Sequence, residues 1–324
     1  MSKQSCLIIF AALFVAFPAF AGTNVLVANI DQNIGEYVSA ILSANGSNIY
    51  RFVMAVATFL LFMCIIIEVA KFIAGDVDWV ATATLIIIWF GTMAFIASYF
   101  TVTEVIKHVF IELQEEFQYL TVGSRDKMFL SDFIDRTLLQ AIQAPDVGFT
   151  DSIWMWFVTF AWGIVSLILQ VCFYLSDVFA TLGIALAQMV GVLFIPFVIA
   201  PWTRKLFDGW FQFFVGWGIC GIILRLTCLL AMLVMKASIN AAGSFENPGA
   251  SFMDGNYNVT SPLVITADNI ELLIALVVFG IMSCVLVLSS FSFAKQLASG
   301  VGSASGAATN GAKALAVKAI KLVI

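Results

Sequence analysis

The chain has 324 residues, 62% of them apolar and only 11% charged, with 31 Phe and a net charge of −5. Ordinary globular proteins run at about 45–50% apolar and about 25% charged, so a water-soluble fold is excluded and a polytopic membrane protein is expected. The negative charge sits in one place: residues 103–152 hold nine acids and four bases while the rest balances to zero, which excludes a strongly cationic nucleic-acid surface.

Residues 1–21 read as a secretory signal peptide. Lys3 gives a positive start, Leu7–Phe17 a short apolar core, and Ala19-Phe20-Ala21 a small-x-small cleavage site. An uncleaved anchor is the alternative, but the run is short for a hydrocarbon layer of about 30 Å. Residues 22–50 are polar and are expected outside the cytoplasm. Six apolar runs follow: Phe52–Ala70, Val80–Val102, Ile153–Leu175, Val178–Ala200, Trp210–Met235 and Ile270–Phe293. Each is long enough to span. The first two make a transmembrane pair within 51–102.

Between the second and third runs, 103–152 carries Ile106, Val109, Phe110, Leu113, Phe117 and Leu120 at helical spacing, with Glu112, Glu115 and Glu116 opposite. After Gly123-Ser124 a second set follows: Phe129, Phe133, Ile134, Leu138 and Ile142. This predicts an external amphipathic helical hairpin, either a solvated cap on the bundle or a docking platform for another subunit. Residues 236–269 form a second polar loop. The tail, 294–324, passes from a Gly/Ala/Ser-rich tether to a basic helix expected to graze the membrane from the cytoplasmic side.

Basic residues favour the cytoplasmic side, and Arg204, Lys205, Lys295, Lys313, Lys318 and Lys321 place both 201–209 and the tail there. A cleaved leader puts residue 22 outside, so an odd number of crossings is required. The piece expected not to span lies in 153–200, where Ser176-Asp177 joins two runs and Gly183, Gly191 and Pro196 interrupt the second. The predicted fold is therefore an all-α polytopic transmembrane protein with about five spanning helices plus one re-entrant or interfacial segment.

Chemistry-bearing patterns are few. The sequence shows no phosphate-cradling Gly loop, HExxH or Gly-x-Ser-x-Gly elbow, so no catalytic, metal or cofactor residues are assigned. The cysteines, in apolar runs or the leader, read as small buried hydrophobes. Arg225 is the exception: an ionisable group inside a spanning run costs about 2.5–3.5 kcal/mol on insertion scales and must face a partner or water. Asp177, Gln170 and Gln188 are candidate partners, with a satisfied interhelix contact, an aqueous path and a lipid headgroup as the alternative settings. Gly216, Gly218 and Gly221 form a small-residue patch suited to close helix approach.

From about 153 to 300 the chain resembles the TrbL family, which includes the sixth VirB component, an inner-membrane part of bacterial type IV secretion (conjugation) systems. The resemblance rests on Gly191-Val-Leu-Phe-Ile-Pro196, on Pro201-Trp-Thr-Arg-Lys-Leu-Phe-Asp-Gly-Trp210, and on the Gly-dotted run after it. The polar loop, the last run and Phe291-Ser-Phe-Ala-Lys-Gln-Leu-Ala-Ser-Gly300 complete it. It makes 153–293 a TrbL-like core, and it implies a non-enzymatic channel or scaffold subunit of the bacterial inner membrane that supports pilus biogenesis and transfer of DNA or protein. The partners it implies are further copies of the chain, a pilin and minor pilin, the inner-membrane scaffold, the secretion ATPases and, in transit, the cargo. A secondary transporter is the alternative, but the apolar runs lack paired carboxylates and the two halves do not repeat.

Overall fold

The computed structural model describes residues 23–42, 48–75, 78–126, 129–143, 153–241, 262–264, 266, 269–298, 314 and 318. The expected leader and most of the tail lie outside the described residues. In chain order the elements are α1 (Thr23–Leu42), α2 (Asn48–Ile73), α3 (Trp79–Val122), α4 (Phe129–Phe133) running into a π-helical turn (Ile134–Leu138), β1 (Ile142–Gln143), α5 (Ile153–Gly191), a 3-10 turn (Ile195–Val198), α6 (Arg204–Ala241), β2 (Leu263–Val264) and α7 (Ile270–Ala298). Five of them, α2, α3, α5, α6 and α7, are long and apolar enough to cross a membrane. The protein is an all-α, multi-pass membrane protein.

Helix is the natural state of these runs, because backbone groups in hydrocarbon must pair within their own segment. The hydroxyls inside them obey the same rule. On α3, Thr84, Thr92 and Thr103 donate to the carbonyls of Val80, Ile88 and Tyr99 at 2.6, 2.8 and 2.9 Å. The ends are sealed locally. Gly75 has φ +85° after the last turn of α2, and Asp78 Oδ1 accepts from the amides of Val80 and Ala81 at 3.0 Å each to start α3. Gly123, at φ +72°, closes α3 with its amide on the Tyr119 carbonyl at 2.8 Å.

Two expectations need correction. Ser176-Asp177 is not a break: α5 runs through it for 39 residues. Ser176 Oγ turns back to the Cys172 carbonyl at 2.8 Å, and Asp177 finds Arg225, so neither polar group opens the helix. The interruption of 178–200 comes instead after Gly191. Second, the hairpin expected over 103–152 does not begin as a separate helix. Its first arm is the continuation of α3, a single helix of 44 residues and about 66 Å.

The chain falls into two compact units. Unit 1 comprises 1–33, 114–179 and 224–290; unit 2 comprises 34–113, 180–223 and 291–324. The helices α3, α5 and α6 each contribute one stretch to each unit. In unit 1, Phe133, Ile134 and Leu138 are buried together with Leu169, Leu229, Met232 and Leu273, and Trp162 Nε1 donates to the Leu138 carbonyl at 3.2 Å. The second amphipathic set thus faces a core, as its spacing predicted. β1 pairs in parallel with β2, Ile142 against Leu263, which holds the acidic insert and the 236–269 loop on one side, as alternating crossings require.

Unit 2 is built around the turn that follows α5. Ile195, Ile199 and Ala200 are fully buried among Val53 and Ala57 of α2, Ile96 and Tyr99 of α3, and Trp210 and Phe214 of α6. The ring pairs Phe95–Phe207 (6.3 Å between centroids) and Tyr99–Trp210 (5.9 Å) fix the register of α3 against α6. Phe95 lies 16 residues, about 24 Å, into α3, whereas Phe207 lies about 5 Å into α6. The turn is therefore set back from the α2–α3 hairpin end, about a third of the way along α3. The interruption expected within 153–200 is this turn.

Irregular backbone at that depth needs every carbonyl met. Tyr99 Oη donates to the Gln188 carbonyl at 2.6 Å and Trp210 Nε1 to that of Ala187 at 2.8 Å. Thr203 Oγ1 donates to the carbonyls of Phe197 and Ala200 at 2.9 and 3.0 Å, and Arg204 Nε to that of Val198 at 2.9 Å. Backbone amides of Leu193, Phe194, Phe197 and Ile199 close Val190, Gly191, Phe194 and Pro196. Gly191 is obligatory, since a Cβ there would overlap the Trp210 ring and the Tyr99 hydroxyl.

Gly191→Leu is expected to cost about 1–3 kcal/mol by overpacking, read as a lowered unfolding temperature in detergent. Gly209→Ala, where a Cβ meets open space, is the control and should stay near wild type. Topology reporters fused after residues 120, 207, 250 and 315 are expected to read outside, inside, outside and inside. A tail reporting outside would contradict five crossings.

Candidate functional site

A polar cluster in unit 1 joins the acidic insert to a spanning helix. Arg225 projects from α6, and its side chain is only 10% exposed. Its Nε donates to Gln118 Oε1 at 2.8 Å, and Nη2 donates to the same oxygen. Nη1 lies 3.7 Å from Asp177 Oδ1 on α5. Gln118 is fully buried in α3, and its Nε2 donates to the Asp126 carbonyl at 2.6 Å in the loop after that helix. Beyond it, Arg125 pairs with Glu116 at 2.7 Å and stacks 4.9 Å over the Tyr119 ring. One amide therefore ties three things: the guanidinium of α6, the body of α3 and the loop that turns back on it.

Chemically this is a clamp. A guanidinium stays protonated and an amide does not titrate, so a relay through Arg225 and Gln118 has no proton to pass. Asp177 is 40% exposed at 3.7 Å, and supplies charge balance more than a tight hydrogen bond. Arg225 thus contacts Gln118 of α3 and Asp177 of α5.

Gln188 is a correction. It lies in unit 2, and its Nε2 donates to Glu104 Oε1 at 3.0 Å rather than to Arg225. Glu104 also faces Lys107 Nζ at 3.4 Å. Gln188 Oε1 is buried with no hydrogen-bond partner among the described residues. Helical spacing explains the error: Gln188 and Asp177 are eleven residues apart on α5, three turns along the helix. Gln118 was missed because it stands in an acidic stretch between Phe117 and Tyr119, where its only sequence signal is the lack of charge. Lys236, near the end of α6, is also buried.

Gly216, Gly218 and Gly221 are all buried. Gly218 makes the close approach expected, but to a side chain: a Cβ there would enter the Phe110 ring of α3. Gly183 does the same for Trp217. Of the basic positions, Arg204 is half-buried and bonded to the turn, while Lys205 and Lys318 are exposed. Lys295 belongs to α7, its side chain outside the described residues; Lys313 and Lys321 lie wholly outside them.

Gln118→Leu is expected to destabilise by about 1.5–3 kcal/mol, the loss of a hydrogen bond to a buried charge. Adding Arg225→Met should restore most of it, because no charge is then left without its acceptor. Asp177→Asn should cost under about 1 kcal/mol, as for partly exposed pairs. A double-mutant cycle on detergent-solubilised protein measures all three. Set beside known proteins, the chain matches no family model and no curated protein, so its role has to be read from its own residues.

Proposed function

We propose that the protein is a non-enzymatic channel and scaffold subunit of a bacterial type IV secretion system, seated in the inner membrane and supporting pilus assembly and the transfer of DNA or protein. The observation that carries this reading is where the TrbL-like stretch falls in the fold. Gly191–Pro196 and Pro201–Trp210 span the turn of unit 2 and the start of α6, where Gly191, Thr203, Arg204 and Trp210 each serve a defined contact. A pattern of Gly, Pro and aromatic residues with such structural demands is a better guide to kinship than bulk hydrophobicity.

The acidic insert supports a scaffold role. The clamp at Gln118 and the β1–β2 pairing tie Gln118 and Ile142 of it into unit 1, so this part of the insert offers neighbours a fixed surface. In this reading the partners are further copies of the chain, a pilin and minor pilin, the inner-membrane scaffold and the secretion ATPases. The ATPases supply the energy, and the cargo makes transient contact in passing.

Deleting the gene is expected to abolish pili and transfer, with both restored by the wild-type chain and transfer reduced at least about tenfold with Gln118→Leu, a loss worth about 1.4 kcal/mol. Affinity purification in mild detergent should bring down pilus and ATPase components. A monomer that moves a small solute in liposomes, with transfer unaffected by deletion, would overturn the proposal.

A further inference from the structure

Setting back the 191–204 turn leaves a cleft in unit 2. It has a volume of about 490 Å³ and lies between the ends of α2 and α3 and the last residues of the turn, with Glu68, Lys71, Asp78 and Arg204 as its charged lining. A second groove, about 410 Å³ and almost wholly apolar, runs between α2 and α3 along Ile65, Val69, Ile86, Trp89 and Phe90. The two share Glu68, Asp78 and Leu85, so a charged head space opens into an apolar channel.

Arg204 is the feature to explain. Cys64, nine residues or about 13 Å before the end of α2, lines the same cleft, so the guanidinium is below the hairpin end. Its Nε is used on the Val198 carbonyl, and its two Nη groups make no hydrogen bond to the described residues. A guanidinium at such depth is costly without an acceptor, and its planar fork fits the oxygens of a phosphate. Among the described residues two cations and two carboxylates line the cleft, and Asp208, one turn beyond Arg204 on α6, acts on its charge as well. Glu68 is tied to Lys71 at 2.8 Å, and Asp78 uses one carboxylate oxygen to cap α3. A purely anionic headgroup would meet both acids; a zwitterion with an ammonium group would find each of its charges a complement.

We propose that this cleft and groove form a binding site for one phospholipid with a zwitterionic, amine-bearing headgroup: phosphate on Arg204, ammonium toward Glu68 and Asp78, and an acyl chain between α2 and α3. The site does not depend on the secretion reading. Its function is to fill the space left beneath the turn and to complete the coordination of Arg204.

The test uses the full chain in detergent, titrated with phosphatidylethanolamine, phosphatidylglycerol or diacylglycerol and read by native mass spectrometry. Phosphatidylethanolamine is expected to bind at one per chain and about tenfold or more tighter than the other two, a difference of about 1.4 kcal/mol. Arg204→Gln should remove that preference, while Lys205→Gln, at its exposed neighbour, keeps it. Because Arg204 also holds the turn, Ile86→Trp serves as a second variant: it fills the groove without touching the Val198 bond and should lower affinity to a similar extent. Equal binding of the three lipids, or wild-type binding by either Arg204→Gln or Ile86→Trp, would overturn the proposal. Competition by millimolar inorganic phosphate would show a free-anion site and overturn it as well.

Discussion

Hydrocarbon offers no hydrogen bonds, so the backbone groups that enter it must be met from within the chain. Inside the long helices this is automatic, and the hydroxyls of Thr84, Thr92 and Thr103 follow by returning to carbonyls one turn back. It ceases to be automatic where α5 ends. There the carbonyls around Gly191 and Pro196 are met by side chains drawn from α3, α6 and the turn itself. Each such bond adds about 1 kcal/mol, but a buried carbonyl left unmet costs about 1–3. The donors Tyr99, Thr203, Arg204 and Trp210 thereby hold the turn at its depth, and the turn sets the register of α3 against α6.

That constraint also explains what was legible beforehand. Composition alone placed the chain in the membrane, and charge parity demanded an odd number of crossings. The spacing of Phe129, Phe133, Ile134 and Leu138 marked a face that is indeed buried. Ser176-Asp177 was misjudged because a polar pair in an apolar run looks like a break until its partners are known: one bond returns to the helix itself, the other crosses to α6. Gln118 and Gln188 show the same limit from the other side. Both are buried amides, and nothing in either local pattern says that one meets Arg225 and the other Glu104. Tertiary register decides that, and it is set by ring packing that no local sequence pattern encodes.

Trp210 and Arg204 illustrate how a general rule for membrane proteins hides a particular role. Tryptophan near a segment end reads as an interfacial anchor, and Arg-Lys between two runs reads as a topology signal. Both readings concern the bilayer. In the fold, Trp210 is 5% exposed and donates to a backbone carbonyl, and Arg204 donates to the turn it follows. Lys205, by contrast, is exposed.

The charged residues along the spanning helices then fall into a consistent scheme. Glu68 with Lys71 and Glu104 with Lys107 neutralise one another across one helical turn. Arg225 with Asp177 does so between helices, with Gln118 taking the stronger bonds. In water such pairs would contribute at most about 1 kcal/mol; beside lipid they matter because the alternative is an unmatched charge. Arg204 departs from the scheme. Its Nε is bonded to the turn, Asp208 one turn on along α6 acts on its charge, and its guanidinium lines a cleft wide enough for a polar group and open to an apolar groove. In the proposed site a lipid phosphate is the acceptor for the two Nη groups, which make no hydrogen bond to the described residues.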